Sequence, residues 1–447
     1  MTQNESTNKK IIFDTVIRAV TEISADAKEL LTDARDRETN ATAKSMLDAM
    51  LDNLDIAKAK DKAVCQSPGY PTCWVGFGDD NFPGYMKDAI GEALAEATKR
   101  GYLRPSMVDP ISRQNTGDNT GVGVPNIEYE YYPGQKYVDF RISLKGCGAE
   151  LGNAMQILTP AKLGKNLVGL KRFVIETVIA AGGKPCPPYS IGIGIGGQMD
   201  VASKLSRRAV SVRKWNDVNP NPELAALETE LKDAINSLGL GAAGIGGDTV
   251  CLAVKIEKVH THTAIAPVAI NFHCWVARRA GVRIYDDGRT EILLETSQGE
   301  YDMKTYELTL PLSESDVKQL RVGDVVYLTG HIFTSRDMAH LKYKALLEQG
   351  QELPKDFKGS AIFHAGPVAL KDENGKWQLQ VIGPTTSIRM EPYAEMVGKM
   401  GVKAIIGKGG MSDDTKKAAA QYGYIYLQAA PGCGAKLAEG IRGIEDV

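Results

Sequence analysis

The stretch 402–427, VKAIIGKGGMSDDTKKAAAQYGYIYL, decides how the C-terminal third of the chain folds. An apolar run at 402–406 reads as a buried strand, and a glycine-rich turn carrying Lys408 follows it. Ser412 opens a helix, and a second β-rich run at 424–427 closes the unit, giving strand, helix, strand. Working outward, the same alternation recurs in strand-like runs at 325–329, 361–363 and 379–382, with helices after Ser335 and from about Glu391. Strands alternating with helices predict a compact α/β unit. The alternation stops between about 281 and 300, where short strands with charged turns, including a run at 291–295, take over. We place a domain boundary there: a larger N-terminal domain at 1–285 and a smaller C-terminal α/β domain at 286–447. The fold class is mixed, α/β with an α+β first part, and two or three domains suit 447 residues at roughly 100–200 residues each.

In the first part, Phe13, Val16, Ile17, Val20, Ile23, Ala27 and Leu30 recur at three- and four-residue steps, the stripe of an amphipathic helix. Asn40 is placed to cap a second helix carrying Leu47, Met50, Leu51 and Leu54. Residues 63–83 read as a loop, followed by a helix to about Arg100 and a polar, Gly/Asn-rich segment at 101–124. Strands are expected around 127–132 and 137–144, a helix at 166–181, and tight turns mixed with β-branched runs at 238–280.

Composition excludes several classes. Apolar residues make up 43% and charged residues 24%, a globular balance. No apolar run approaches the ~18 residues a membrane-crossing helix needs. The net charge of −2 supplies no bulk attraction for nucleic acid. Residues 1–10 are polar and charged, without the apolar core of a secretory leader, so a cytoplasmic location is expected. Seven cysteines are too few for a disulfide scaffold, and their odd number suits thiols or metal ligands.

Some motifs lead nowhere. Gly192, Gly194 and Gly197 satisfy G-x-G-x-x-G, but Pro187 and Pro188 precede them closely and no acidic residue follows at the required distance. The alternating Ile191, Ile193 and Ile195 read instead as a strand with glycines on a face that something approaches closely. No CxxC pair suggests zinc. The basic pairs Arg207–Arg208 and Arg278–Arg279 read as solvated faces. Cys251 lies in an apolar strand and reads as core; Cys147 and Cys433 sit between glycines as loop fillers; Cys73 is left open. Cys65 in CQSPGYP, Cys186 in KPCPPYS and Cys274 in NFHCW have the unusual contexts, yet spacing alone does not bring them together.

Those contexts occur in order with YLRPSMVDP, NTGDNT, KGCGAE, CPPYSIGIGIGG and GLGAAGIGG before residue 280. After it come VGDVVYLTGHIFTSRDMAH, AIFHAGPV, GPTTSIRM and GKGGM. Together they resemble the class I, iron–sulfur-dependent fumarase and L(+)-tartrate dehydratase family over nearly the whole chain, with the α and β parts fused. The resemblance implies a [4Fe–4S] cluster on Cys65, Cys186 and Cys274, which follow one another at 121 and 88 residues. Three thiolates leave one iron without a protein ligand, free to act as a Lewis acid on a substrate hydroxyl. It implies a hydro-lyase that reversibly dehydrates a small 2-hydroxy dicarboxylate of the malate/fumarate type. Tartrate or methylmalate/mesaconate is the alternative substrate, and a non-catalytic iron–sulfur protein the alternative class.

The resemblance also assigns residues. Arg104, Arg336 and Arg389 hold substrate carboxylates, Lys408 supplies a point charge, and Gln66 hydrogen-bonds substrate. Thr385 is the base, which requires neighbouring cations, and His262 contacts substrate. Where the family has an aspartate after the CQ pair, this chain has Ser67, which cannot relay a proton as a carboxylate does; Asp79 and Asp80 stand nearby in sequence. The site is expected between the two parts, with the second part a swivelling domain, in a homodimer that binds no nucleic acid and no membrane.

Overall fold

The computed structural model describes residues 3–79, 83–294, 306–320 and 326–446. Asp80 and Glu295 of the readings above lie outside them, as does Val325. The stripe at 13–30 is carried by two helices rather than one, Gln3–Thr21 and Ala25–Arg37. The break falls at Ser24, whose N–H donates to the Ala277 carbonyl at 3.2 Å and whose hydroxyl accepts from Arg279 at 2.8 Å. These long-range bonds replace the bonds that would continue the helix. Asn40 caps the helix Ala41–Ala59 as expected, accepting from the N–H groups of Thr42 and Ala43 at 3.0 and 3.1 Å.

The strands are numbered in chain order. In the first part they are β1 (Tyr70–Phe77), β2 (Asn126–Tyr131), β3 (Tyr137–Lys145), β4 (Ala154–Leu158), β5 (Tyr189–Ile195), β6 (Cys251–Lys258), β7 (Ala266–His273), β8 (Arg279–Tyr285) and β9 (Thr290–Leu294). In the second they are β10 (Tyr306–Thr309), β11 (Val326–Thr329), β12 (Ile332–Thr334), β13 (Ala361–Phe363), β14 (Val368–Lys371), β15 (Trp377–Val381), β16 (Ala404–Gly407) and β17 (Ile425–Gln428).

One sheet has the order β2-β1-β3-β8-β9 and the other β4-β7-β5-β6. Strand β1 corrects the loop expected at 63–83. Its Cys73, Trp74 and Val75 are all buried, so both faces are covered and the alternation that marks a half-exposed strand is missing. Strand β9 pairs with β8, which carries the first part's sheet beyond residue 285 to Leu294. On β5, a Cβ at Gly192 or Gly194 would collide with the carbonyls of Ser206 and Ala202 in the helix Met199–Val212. The glycines of IGIGIGG therefore admit a helix, not a dinucleotide.

The second part is built on the parallel sheet β12-β13-β16-β17, with the helix Asp413–Tyr422 crossing from β16 to β17. The hairpin β14–β15 leaves that sheet, and its Val368 and Val381 enter the apolar core of the first part. The last helix, Gly434–Glu439, packs on Ala41–Ala59. The smaller domain is gripped on two sides in this arrangement. Among the described residues, no helix is long and apolar enough to cross a membrane.

Candidate active site

Strands β5 and β7 lie antiparallel with Ser190 opposite His273, so the start of one and the end of the other share an edge of their sheet. Cys186 precedes the first and Cys274 follows the second, and the Trp275 N–H reaches the Cys186 carbonyl at 3.4 Å. Cys186 adopts φ +61°, a left-handed conformation that costs a non-glycine residue roughly 1 kcal/mol or more. Cys65 joins from the loop ahead of β1. Burial pushes the Cys274 thiol up, and its neighbours Cys186 and Cys65 add to the shift, so the three sulfurs feel one another. All three lie in or against one apolar cluster with Val64, Ala242 and Trp275.

The other cysteines lie outside the trio. Cys73 and Cys251 are buried in β1 and β6, and Cys147 opens the short helix Cys147–Glu150, near enough to Arg278 and Arg104 to feel both. Cys433 is not a loop filler on the surface: it is buried behind the trio against the Ala49 carbonyl.

The second part closes over this edge. Lys408, at the end of β16, is buried with its Nζ 2.8 Å from the Cys186 sulfur and 3.1 Å from the Thr386 hydroxyl. The point charge expected for substrate thus stands against a thiol. Gln66 is buried, its Nε2 donating to the Pro384 carbonyl at 2.8 Å and its Oε1 accepting from the Cys65 thiol at 3.2 Å. That bond places the CQSPG loop against the GPTTS loop. Ser67 is half-buried next to Gln66, and its carbonyl accepts from Arg278.

Arg104 and Arg336 come from different parts and meet at Gly366. Arg104 donates to the Gly366 carbonyl, and a Cβ on that glycine would lie 2.5 Å from an Nη1 of each guanidinium. Only glycine leaves both forks room. Burial first, then the adjacent charges of Arg336 and Arg389, pull the Arg104 guanidinium down to about 10. Arg336 is lowered by burial and by Arg389. Arg389 donates to the Thr385 hydroxyl at 2.9 Å and pairs with Asp337 at 3.2 Å. Three guanidiniums thus lie close enough to repel one another, Arg104 among them near enough to feel Cys65, and among the described residues Asp337 alone pairs with any of them as a carboxylate.

His262 is the assigned residue that this chain does not bring to the site. It is exposed in the turn after β6, its Nδ1 accepting from the Ala264 N–H at 3.2 Å. The eight residues of β7, at ~3.3 Å each, separate that end of the sheet from Cys274 by about 25 Å.

Several residues of the site escaped the sequence reading. Asp337 had no distinguishing context. His364 and His340 are buried rings 5.4 Å apart beneath the arginines. The His364 carbonyl accepts from the Thr385 N–H at 2.6 Å, and the Arg336 carbonyl accepts from the His340 N–H at 3.0 Å. Burial holds His364 down to about 3, so the ring is neutral. Both basic pairs were misread as solvated. Arg207 and Arg208 pair with Glu128 and Glu130 at 2.8 and 2.7 Å. Arg279 is buried on Asp26 at 2.5 Å and over the Trp215 ring, and Arg278 is buried as well.

The donor set can be tested against metal chemistry. Among the described residues, no three His, Cys, Asp or Glu side chains close on a point as a single ion requires. A four-iron cube spreads its cysteine sulfurs wider than any single ion does. Three thiols from separate loops, Cys186 and Cys274 buried and Cys65 half-buried, with cations beside them, fit such a cube.

Comparisons with known proteins show which family the chain belongs to. Residues 9–283 match the fumarate hydratase (fumerase) family and residues 281–447 the fumarase C-terminus family. A Geobacillus stearothermophilus protein, provisionally named a class I fumarate hydratase, is 34% identical over 462 aligned positions, covering 98% of this chain and 88% of its own. A Methanocaldococcus jannaschii protein, provisionally named an L(+)-tartrate dehydratase alpha subunit, is 38% identical over 286 positions, covering 62% of this chain and 98% of its own. The L(+)-tartrate dehydratase alpha subunit of Escherichia coli K12 is 29% identical over 298 positions, covering 66% of this chain and 97% of its own. The chain belongs to the fumarate hydratase family, with the two family segments joined in one polypeptide.

Proposed function

We propose that the chain is a hydro-lyase that adds water to, and removes it from, a small dicarboxylate of the fumarate/malate type. In this reading a [4Fe–4S] cluster sits on Cys65, Cys186 and Cys274. The observation that carries it is the meeting of Arg104, Arg336 and Arg389 at the trio of thiols. Like charges gathered in a half-buried cleft repel, and a dianion relieves that repulsion. A planar fork binds a carboxylate at two points and fixes its orientation. The bound cluster would supply an open iron acting as a Lewis acid on the substrate hydroxyl.

The chain's own groups then have defined work. Arg104 and Arg336 take one carboxylate across the seam between the two parts, and Arg389 takes the other by exchanging Asp337 for substrate. Thr385 lies within the field of Arg389, which favours its alkoxide and suits it to accept the carbon-bound proton. Lys408 sets its positive charge against the Cys186 sulfur. Ser67 borders the site beside Gln66, where its hydroxyl takes a hydrogen bond but carries no charge. His262 can serve only a second copy of the chain, which suits a homodimer. A cytoplasmic enzyme is the fitting context for reduced thiols and an open iron.

The test is anaerobic reconstitution with iron and sulfide, followed by malate, tartrate and methylmalate in turn, watching the absorbance of the alkene or enol product. Dehydration of one of them, absent before reconstitution, is the expected result. Full four-iron loading with no turnover on any dicarboxylate would leave a non-catalytic iron–sulfur protein as the better reading.

A further inference from the structure

Buried cations in this chain come with carboxylates. Arg279 has Asp26 at 2.5 Å, Lys145 has Glu150 at 2.5 Å, and Lys255 has Asp217 at 2.8 Å. Two do not follow the pattern among the described residues. Lys408 has the Cys186 sulfur in place of a carboxylate. The other is Arg278, 1% exposed, which donates one Nη1 bond to the Ser67 carbonyl and leaves Nε and Nη2 without any hydrogen-bond partner.

An unpaired buried guanidinium is costly. It cannot shed its proton, and removing a charge from water without a counter-charge costs several kcal/mol. Its free donors therefore mark where an anion belongs, and Gly146 locates the place. Apart from the glycine's own chain neighbours, a point one bond off its Cα has the Cys274 sulfur at 3.7 Å and Arg278 Nη2 at 4.0 Å nearest to it. Thiol and guanidinium approach the same place.

We propose that Arg278 is the counter-ion of the cluster-holding thiolates, directing its two free donors toward the Cys274 side of the cluster. Lys408 supports the Cys186 side in the same way. Arg278 is a positioning residue here, since it is buried and acts through the thiolates. The inference rests on the cluster reading. A positive charge and N–H donors next to a cluster's sulfurs favour its more reduced form and raise its reduction potential.

The test uses Arg278→Gln in the full chain, with thermal unfolding and a potentiometric titration followed by electron paramagnetic resonance. With the cluster loaded, the variant should show a more negative midpoint potential than wild type, and lower iron per protein after brief aeration. Without the cluster, its melting temperature should equal or exceed that of wild type, because the unpaired charge is gone. Arg278→Lys, which keeps the charge, should fall between the two in potential. An unchanged potential in a fully loaded Arg278→Gln chain would overturn the proposal. So would a variant that melts lower than wild type, or fails to fold, without the cluster, since that marks a structural role for the bond to Ser67. If wild type itself takes up no iron–sulfur cluster, the cluster reading has failed and this inference falls with it; loading of wild type with no effect at Arg278 faults the inference alone.

Discussion

At the residue scale, the cysteines show what a sequence can and cannot convey. Nothing in the spacing of Cys65, Cys186 and Cys274 says that they meet; motif context picked them out, and the antiparallel pairing of β5 with β7 explains how two of them meet. Arg278 was misread because adjacent basic residues are usually solvated, and only the packing reveals a buried charge. Two substitutions follow. Arg336→Lys keeps a charge but loses the fork, so kcat/KM for the dicarboxylate should fall roughly 10- to 100-fold, the worth of one charged hydrogen bond. Steady-state kinetics on reconstituted enzyme checks this, and an unchanged kcat/KM would remove Arg336 from the clamp. Ser67→Asp adds a negative charge beside a dianion, which at an effective dielectric of ~20 costs on the order of a few kcal/mol. It should depress kcat/KM on the true substrate at least about tenfold; a rise would show that a carboxylate at this place is still useful to the reaction.

At the element scale, the C-terminal alternation was legible because buried parallel strands and amphipathic helices leave different periods. Strands β13, β16 and β17 and the helix Asp413–Tyr422 fall within a few residues of their expected places. The short strands β12 and β14 were not legible; β13 is as short as β12 but is apolar throughout and buried, whereas β12 and β14 end in a polar residue and are only partly buried. Strand β1 was hidden for a different reason, since burial on both faces removed its alternation. The elements also carry a pH dependence. His364 sits at the end of β13 with its pKa held at about 3 by burial, against ~6.5 when unfolded. Between those values the unfolded chain binds a proton that the folded chain does not, so stability falls as pH drops below ~6.5. At pH 5 the loss from this one ring is about 2 kcal/mol. Denaturant midpoints at pH 7 and pH 5 should separate by less in His364→Asn than in wild type, and equal separation would contradict the assignment.

At the scale of the whole molecule, the proposed function has the two parts share one site. Arg104, Gln66 and the cysteines come from the first, and Arg336, Thr385, Arg389 and Lys408 from the second. The hairpin β14–β15 locks them by placing Val368 and Val381 in the first part's core. Val381→Asp should therefore lower cluster retention and turnover together, although it lies outside the site, by burying an unpaired charge at the seam. Retained iron with normal turnover in that variant would mean the seam is not needed. Air should inactivate the enzyme, and iron with reductant should restore part of the activity. The most direct test of a cluster-dependent hydro-lyase is one sample measured twice: iron and acid-labile sulfide per chain, then dicarboxylate dehydration, for anaerobically reconstituted wild type and Cys186→Ser. Near four irons with turnover in wild type, and loss of both in Cys186→Ser, is the predicted result; full iron content or undiminished turnover in Cys186→Ser would contradict it.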